Sequence, residues 1–144
     1  MDYKELYGYF FEDLKVGMSA TVSRTITETD LRNFSGVSGD TNPMHLNEEF
    51  ARSTMFGGCI VHGMLTASLI SAVIGTKLPG PGCIYMGQTL KFLAPVRVGD
   101  TVYATGAVKE LIAAKNRVIL ITQCRVGDTL VIDGEATIKV PSRS

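Results

Sequence analysis

An acid and a base lie five residues apart in the stretch SGDTNPMHLNEEFA, residues 38–51. The acid is Asp40 and the base is His45, one of two histidines in the chain. Pro43 fixes its own φ and pushes Asn42 away from helical backbone, so the segment between acid and base is predicted to be stiff. A carboxylate and an imidazole held in this way can orient one water molecule and remove its proton.

The same residues also have a purely structural interpretation. Asp40 and Asn42 are common Asx-turn residues, and His45 could be a surface or core histidine. Taken alone, the pattern D-x-N-P-x-H favours this structural interpretation over a catalytic one.

A second candidate site lies at the entrance of an apolar segment, residues 61–78 (VHGMLTASLISAVIGTKL). Gly63 permits close approach to the backbone, and free N–H groups at a helix start can stabilise negative charge developing on a bound oxygen atom. An ordinary helix entrance, where Gly63 only prevents a clash, explains the residue equally well. Ser71 is one of few polar groups on this segment, and bonding back to a main-chain carbonyl is its commoner role.

The elements that must position these residues can be read from the hydrophobic pattern. Residues 64–74 are apolar nearly all round, which predicts a buried central helix, too short for the roughly 20 residues of a membrane span. Period-two patterns predict strands over residues 84–94, 101–112, 117–125 and 129–140, with a hairpin turn at Gly127-Asp128. With a first strand over residues 18–26, we expect an α+β fold: about five antiparallel strands on one long buried helix.

Short helices are predicted between the first strand and the central helix. Thr27 and Asp30 form an approximate capping box for a helix ending near Gly36. Asn47 can cap a further helix, which the FGG at residues 56–58 should stop.

Composition limits the class of protein. The 144 residues are 45% hydrophobic and 19% charged, which indicates a single folded domain, residues 1–144. Lys plus Arg equals Asp plus Glu at 14 each, which argues against nucleic acid or an anionic membrane as a partner. Cys59, Cys83 and Cys124 lack zinc or disulfide spacing, and the N-terminus lacks signal-peptide features, so we expect a cytoplasmic protein without a metal site.

Read in order, several of these residues form one long pattern. Phe34, residues 37–40, Asn42-Pro43, His45 and Ala51, followed by VHGML at residues 61–65, resemble the hydratase 2 signature of the MaoC-like (R)-specific enoyl-CoA hydratases. Residues 82–102 resemble the strand that follows the helix in that family. The resemblance begins near residue 14, which leaves residues 1–13 as an N-terminal extension. Met44 departs from the family's branched aliphatic residue but stays apolar.

The resemblance implies a hot-dog fold, a homodimer and a role in fatty acid metabolism. It implies reversible syn addition of water to trans-2-enoyl-CoA, with no metal or cofactor, since CoA is part of the acyl-CoA substrate. By position, Asp40 and His45 match the catalytic pair, and Gly63 matches the residue whose N–H holds the thioester oxygen. Ser71 and Asn42 match supporting residues.

Two other functions remain as alternatives. Hot-dog acyl-CoA thioesterases commonly carry a catalytic carboxylate on the central helix, and residues 61–75 contain none. A non-catalytic CoA-thioester-binding protein would not need the Asp40 and His45 pair. Large residues expected at the pocket end suggest short acyl chains: Met64, Leu65, Phe56 and Tyr85. Four cations could meet CoA phosphates, although each is more simply a solvated charge: Lys91, Arg97, Arg52 and Lys77.

Overall fold

One antiparallel sheet is the largest element of the molecule. The computed structural model, which describes residues 2–144, has six strands: β1 Ser19–Thr25, β2 Ile84–Gln88, β3 Lys91–Phe92, β4 Thr101–Ile112, β5 Arg117–Val126 and β6 Thr129–Lys139. Their order is β1-β4-β5-β6-β2, and β3 also pairs with β6. The strands β4, β5 and β6 follow one another in the chain and pair as hairpins, as their short connections predicted.

The four α-helices lie between β1 and β2 in the chain. They are α1 Glu28–Ser38, α2 Pro43–Leu46, α3 Glu48–Arg52 and α4 Gly63–Thr76, with 3₁₀ turns at Lys4–Leu6, Phe11–Asp13 and Ala113–Lys115. The predicted central helix is α4, and its buried side chains pack on the sheet. A curved antiparallel sheet around one long helix is the hot-dog architecture, which confirms the predicted α+β fold.

Alternating burial explains why α4 and the sheet pack together. In β5, Val118, Leu120, Thr122 and Cys124 face the helix and are fully buried, while the residues between them are more exposed. Gly106 of β4 allows the closest approach, because a Cβ there would lie 3.3 Å from Cγ1 of Val73. Register shifts in the β2–β6, β4–β5 and β5–β6 pairings bend the sheet around the helix.

The segment expected to form one strand over residues 84–94 is broken into β2 and β3. At the break, Thr89 N–H donates to the Glu135 carbonyl over 2.8 Å, and Thr89 Oγ1 accepts from Glu135 N–H over 3.0 Å. A Cβ on Gly134 would lie only 1.9 Å from the Thr89 carbonyl oxygen, so glycine is required there. The sheet therefore has six strands rather than about five.

The capping predictions are confirmed, but two helix ends are not. Thr27 and Asp30 form a reciprocal capping box at 3.0 and 3.1 Å. The first helix continues to Ser38 rather than Gly36, because Gly39, with φ of 78°, is the residue that takes the left-handed conformation. Asn47 caps α3, which ends at Arg52, before the FGG motif.

The N-terminal segment packs on the rest of the fold. Gly8, Tyr9 and Phe11 donate backbone hydrogen bonds of 2.8–2.9 Å to the carbonyls of Pro81, Pro79 and Pro141. At the other end of the chain, Arg143 makes a bidentate ion pair with Asp13 at 2.8 and 2.9 Å. Within residues 2–144, no helix has the length and apolar character needed to cross a membrane.

Candidate active site

A chain of short-range hydrogen bonds holds the loop that carries Asp40. Ser38 Oγ accepts from Asp40 N–H at 3.1 Å, and Asp40 Oδ1 accepts from Asn42 N–H at 3.2 Å. Asn42 Oδ1 then caps α2 by accepting from Met44 N–H at 3.0 Å, with Pro43 at the first helical position. Asn42 thus fixes the turn between the acid and the base. The structural and catalytic interpretations of this segment are compatible.

His45 is oriented by a backbone carbonyl. Its Nδ1 lies 2.7 Å from the Ile60 oxygen, and since a carbonyl only accepts, Nδ1 carries the proton. In the neutral ring, Nε2 is therefore the basic nitrogen. His45 is half-buried, so this nitrogen can receive or return a proton to a bound molecule.

His62 is the functional candidate that sequence reasoning missed. It immediately precedes α4 and is 1% exposed. Its Nε2 lies 3.1 Å from both the Asp40 carbonyl oxygen and Ser35 Oγ. Its ring stacks on that of His45, with centroids 3.9 Å apart, and contacts the ring of Phe34 at 4.8 Å. The sequence did contain a signal for this residue, because the second histidine of the chain lies inside the VHGML motif.

The surroundings of His62 hold its ring neutral. Burial is the main influence and lowers the pKa of His62, while the Asp40 carbonyl raises this pKa and the neighbouring His45 lowers it. Because Nε2 faces a carbonyl acceptor, Nε2 carries the single proton and Nδ1 has a lone pair. Among the described residues, Nδ1 has no hydrogen-bond partner.

Gly63 opens α4 with an unpaired donor. The N–H groups of Leu65 and Thr66 bond to the His62 carbonyl, whereas those of Gly63 and Met64 have no acceptor within residues 2–144. A Cβ at Gly63 would lie 2.7 Å from Cε1 of Phe92, so the glycine does prevent a clash. It also leaves N–H groups free at the positive end of the helix dipole. The geometry is therefore compatible with both interpretations of Gly63, and its role towards a bound oxygen stays a prediction.

Asp40, His62 and Gly63 line a cavity of about 560 Å³. Its other walls are largely apolar and include Met55, Phe56, Met64, Phe92, Leu93 and Ile132. His45 lines a neighbouring cavity of about 590 Å³, together with Ser35, Thr41 and Cys59. The acid and the base therefore stand at the boundary between two cavities.

The pocket differs from the prediction in two residues. Met64 and Phe56 line the apolar cavity as expected, but Leu65 and Tyr85 do not. Leu65 packs against the core, and the Tyr85 hydroxyl donates to Gln88 Oε1 on the edge strand β2.

Ser71 is not brought to the acid–base pair. It lies eight residues beyond Gly63 on the exposed face of α4, about 12 Å along the helix axis. Within residues 2–144 it makes no hydrogen bond to Asp40 or His45. Its supporting role rests on the resemblance alone and stays a prediction.

Three of the four candidate phosphate-binding cations are already engaged. Lys77 Nζ donates to the Thr21 carbonyl at 2.8 Å, Arg97 donates to the Phe56 carbonyl, and Arg52 lies 3.6 Å from Glu48. Lys91, on β3 beside Phe92, is exposed and forms no salt bridge with another residue of 2–144.

Asp40, His45 and His62 could also be considered as metal ligands, since one ligand atom from each lies within 4.8 Å of the others. The geometry does not favour this. The two imidazole planes are 26° from parallel, so their in-plane lone pairs run side by side rather than converging on one ion. His45 Nδ1 and His62 Nε2 are also engaged with carbonyls. That no metal is needed stays a prediction.

The fold and the site define a hot-dog protein with an acid and a base near the entrance of its central helix, and comparison with known proteins identifies its family. The MaoC-like domain family matches residues 13–129. The (R)-specific enoyl-CoA hydratase of Rhodospirillum rubrum is 52% identical over 99% of both chains. The 3-hydroxybutyryl-CoA dehydratase of Methylorubrum extorquens is 50% identical over 96% of this chain and 88% of its own.

A solved structure agrees with these relatives. The unliganded R-hydratase PhaJ1 of Pseudomonas aeruginosa superposes with a TM-score of 0.90 and 44% identity, over 96% of this chain and 89% of its own. This chain belongs to the MaoC-like domain family.

Proposed function

We propose that this chain is an (R)-specific enoyl-CoA hydratase, which adds water reversibly to trans-2-enoyl-CoA and gives the (R)-3-hydroxyacyl-CoA. The observation that carries the proposal is the approach of the Asp40 carboxylate to the His45 imidazole, within 4.8 Å, beside the free N–H of Gly63. The hydratase and dehydratase names of the two close relatives support it.

The chemistry follows from what each group can do. Asp40 accepts a proton from a water whose oxygen bonds to C3, and the displaced electron pair moves towards the thioester oxygen. The Gly63 N–H and the helix dipole stabilise that oxygen. The acid–base pair then returns one proton to C2, with His45 Nε2 facing the reacting atoms. A single cluster on one side of the enoyl plane gives syn addition.

The apolar cavity is the place for the acyl group. The buried Ile132 and the side chains of Phe56, Met64 and Phe92 form its walls, which suits a short chain. The name 3-hydroxybutyryl-CoA dehydratase of one relative supports the same choice. We expect turnover of crotonyl-CoA to exceed that of trans-2-octenoyl-CoA at equal concentration. The reverse order would contradict the short-chain assignment.

A homodimer is part of the proposal. The edge strand β2 exposes three large apolar residues, Ile84, Tyr85 and Met86, and edge strands with free backbone groups pair readily with another chain. We expect light scattering to give a mass twice the 15.5 kDa of one chain. Tyr85→Lys should shift this mass towards the monomer, because it places a charge on the edge.

The remaining properties follow the chemistry of the site. The reaction needs no metal or redox cofactor, because the acid–base pair and the helix N–H supply each step. Cys59, Cys83 and Cys124 are unpaired, which suits the reducing cytoplasm.

The decisive experiment follows the enoyl-thioester absorbance of crotonyl-CoA with a thiol reagent present to report free CoA. Loss of absorbance without thiol release, together with (R)-3-hydroxybutyryl-CoA as the product, is the expected result. Release of thiol would instead indicate a thioesterase, although α4 carries no carboxylate. Tight binding of crotonyl-CoA and of longer enoyl-CoAs without turnover would indicate a non-catalytic binding protein.

A further inference from the structure

Both members of the acid–base pair contact the same buried side chain, His62. Its Nε2 lies 3.1 Å from the main-chain oxygen of Asp40, and its ring face lies 3.9 Å from that of His45. These contacts join residues 17 and 22 positions apart, so local sequence does not produce them.

The contact with Asp40 fixes the loop from its inner side. The loop's other hydrogen bonds are all local, from Ser38 to Met44. The bond from His62 Nε2–H to the Asp40 carbonyl ties this local structure to the first residue before α4. Because Gly63 directly follows His62, this bond also sets the distance between the Asp40 carboxylate and the Gly63 N–H.

The contact with His45 fixes the plane of a ring. The bond from His45 Nδ1–H to the Ile60 carbonyl restrains one atom of the imidazole and does not by itself fix the tilt of the ring. The stacked ring of His62 restrains this tilt. His62 is itself held in place by the ring of Phe34, whose centroid lies 4.8 Å from its own. The direction of the free His45 Nε2 is thereby determined.

We propose that His62 is a positioning residue for the hydration reaction: its Nε2–H anchors the Asp40 carbonyl and its ring face orients His45, so that both act on one water. This inference rests on the proposed hydratase function. His62 exchanges no proton with the substrate in this role. It acts through the two residues that do.

Two replacements separate the two contacts. His62→Gln keeps an N–H donor near the position of Nε2 but loses the ring, whereas His62→Phe keeps a stacking ring but loses the donor. With crotonyl-CoA, we expect His62→Phe to lower kcat by about 10- to 100-fold with KM changed less than about threefold, since misplaced catalytic groups affect the chemical step. His62→Gln should retain more kcat than His62→Phe because it restores the anchor of Asp40.

A double-variant comparison distinguishes positioning from a general structural role. In the Asp40→Asn background, His62→Phe should lower the residual kcat by less than about threefold, because Phe keeps the stack on His45 and the residue that the lost Nε2–H anchors no longer acts. An equal loss in both backgrounds would overturn the proposal. Val73→Ala is the matched control: it opens a cavity in the same helix, far from the pair, and should lower Tm while leaving kcat unchanged.

A measurement on the wild-type protein does not depend on how the variants fold. The chain has two histidines, so their imidazole ¹⁵N resonances are readily assigned. We expect His62 as the neutral Nε2–H form at neutral pH and His45 with its proton on Nδ1. A proton on His62 Nδ1 would overturn the proposal. If wild type hydrates crotonyl-CoA but His62→Phe retains kcat, the His62 assignment alone fails. If wild type does not hydrate any enoyl-CoA, the proposed function fails as well.

Discussion

The rings of His45 and His62 stack face to face, with centroids 3.9 Å apart and planes 26° from parallel. Two imidazolium ions at this distance would repel, and burial lowers the pKa of His62. Both effects favour a neutral His62 ring, which packs against the face of His45.

This relationship predicts how stability depends on pH. The folded-state pKa of His62 is lowered, so below about pH 6.5 the unfolded chain binds a proton that the folded chain does not. The contribution of His62 is present above that pH and is lost as the pH falls towards the folded pKa. Between about pH 7 and pH 5, the Tm of the wild-type protein should fall further than the Tm of His62→Gln. Equal losses would show that His62 is protonated in the folded protein.

Replacement of the acid should remove activity without unfolding the chain. Asp40 is exposed, and its side-chain contact is one bond to Asn42 N–H, which an amide oxygen can also accept. Asp40→Asn should keep the wild-type circular dichroism and lower kcat by about 10²- to 10⁴-fold, because an amide does not take up a proton. Asp128→Asn, in the exposed turn between β5 and β6, is the control. Retention of more than about a tenth of wild-type turnover would contradict the role of Asp40.

The contact between Gly63 and Phe92 gives a paired prediction. Gly63→Ala places a Cβ about 2.7 Å from Cε1 of Phe92, so the ring must move and the start of α4 shifts. We expect a fall in kcat of about 10- to 100-fold, because the N–H proposed to hold the thioester oxygen is displaced. The double variant Gly63→Ala with Phe92→Ala should recover part of this loss. No recovery would indicate that the added methyl group acts on the substrate directly.

The thiols of the protein should react slowly in the native state. Burial raises the pKa of Cys124 to about 12, and it also raises the pKa of Cys83 and Cys59. The reactive thiolate is therefore scarce at each site near neutral pH. A disulfide reagent should modify Cys124 only after denaturant is added, when three thiols per chain react. Rapid native labelling of all three would contradict the burial of Cys124.

Local features of the chain could be predicted, and long-range features could not. The capping box of Thr27 and Asp30, the cap at Asn47 and the stiff segment from Asp40 depend on residues within a few positions of one another. The contact of His62 with Asp40 and the break at Thr89 opposite Gly134 depend on the packing of distant segments. Ser71 was assigned by resemblance, and its distance from the pair along α4 becomes visible only once the helix direction is known.

Phe92, which forms one wall of the apolar cavity, belongs to β3. This strand has two residues and pairs with β6 alone. Its side chain is about half exposed, so it contributes little to the buried core. Asp40, His45 and His62 belong instead to α2, the loop before it and the residue that precedes α4. Substrate range can therefore change during evolution through residues 92 and 93 while the catalytic machinery and the folding stability are conserved.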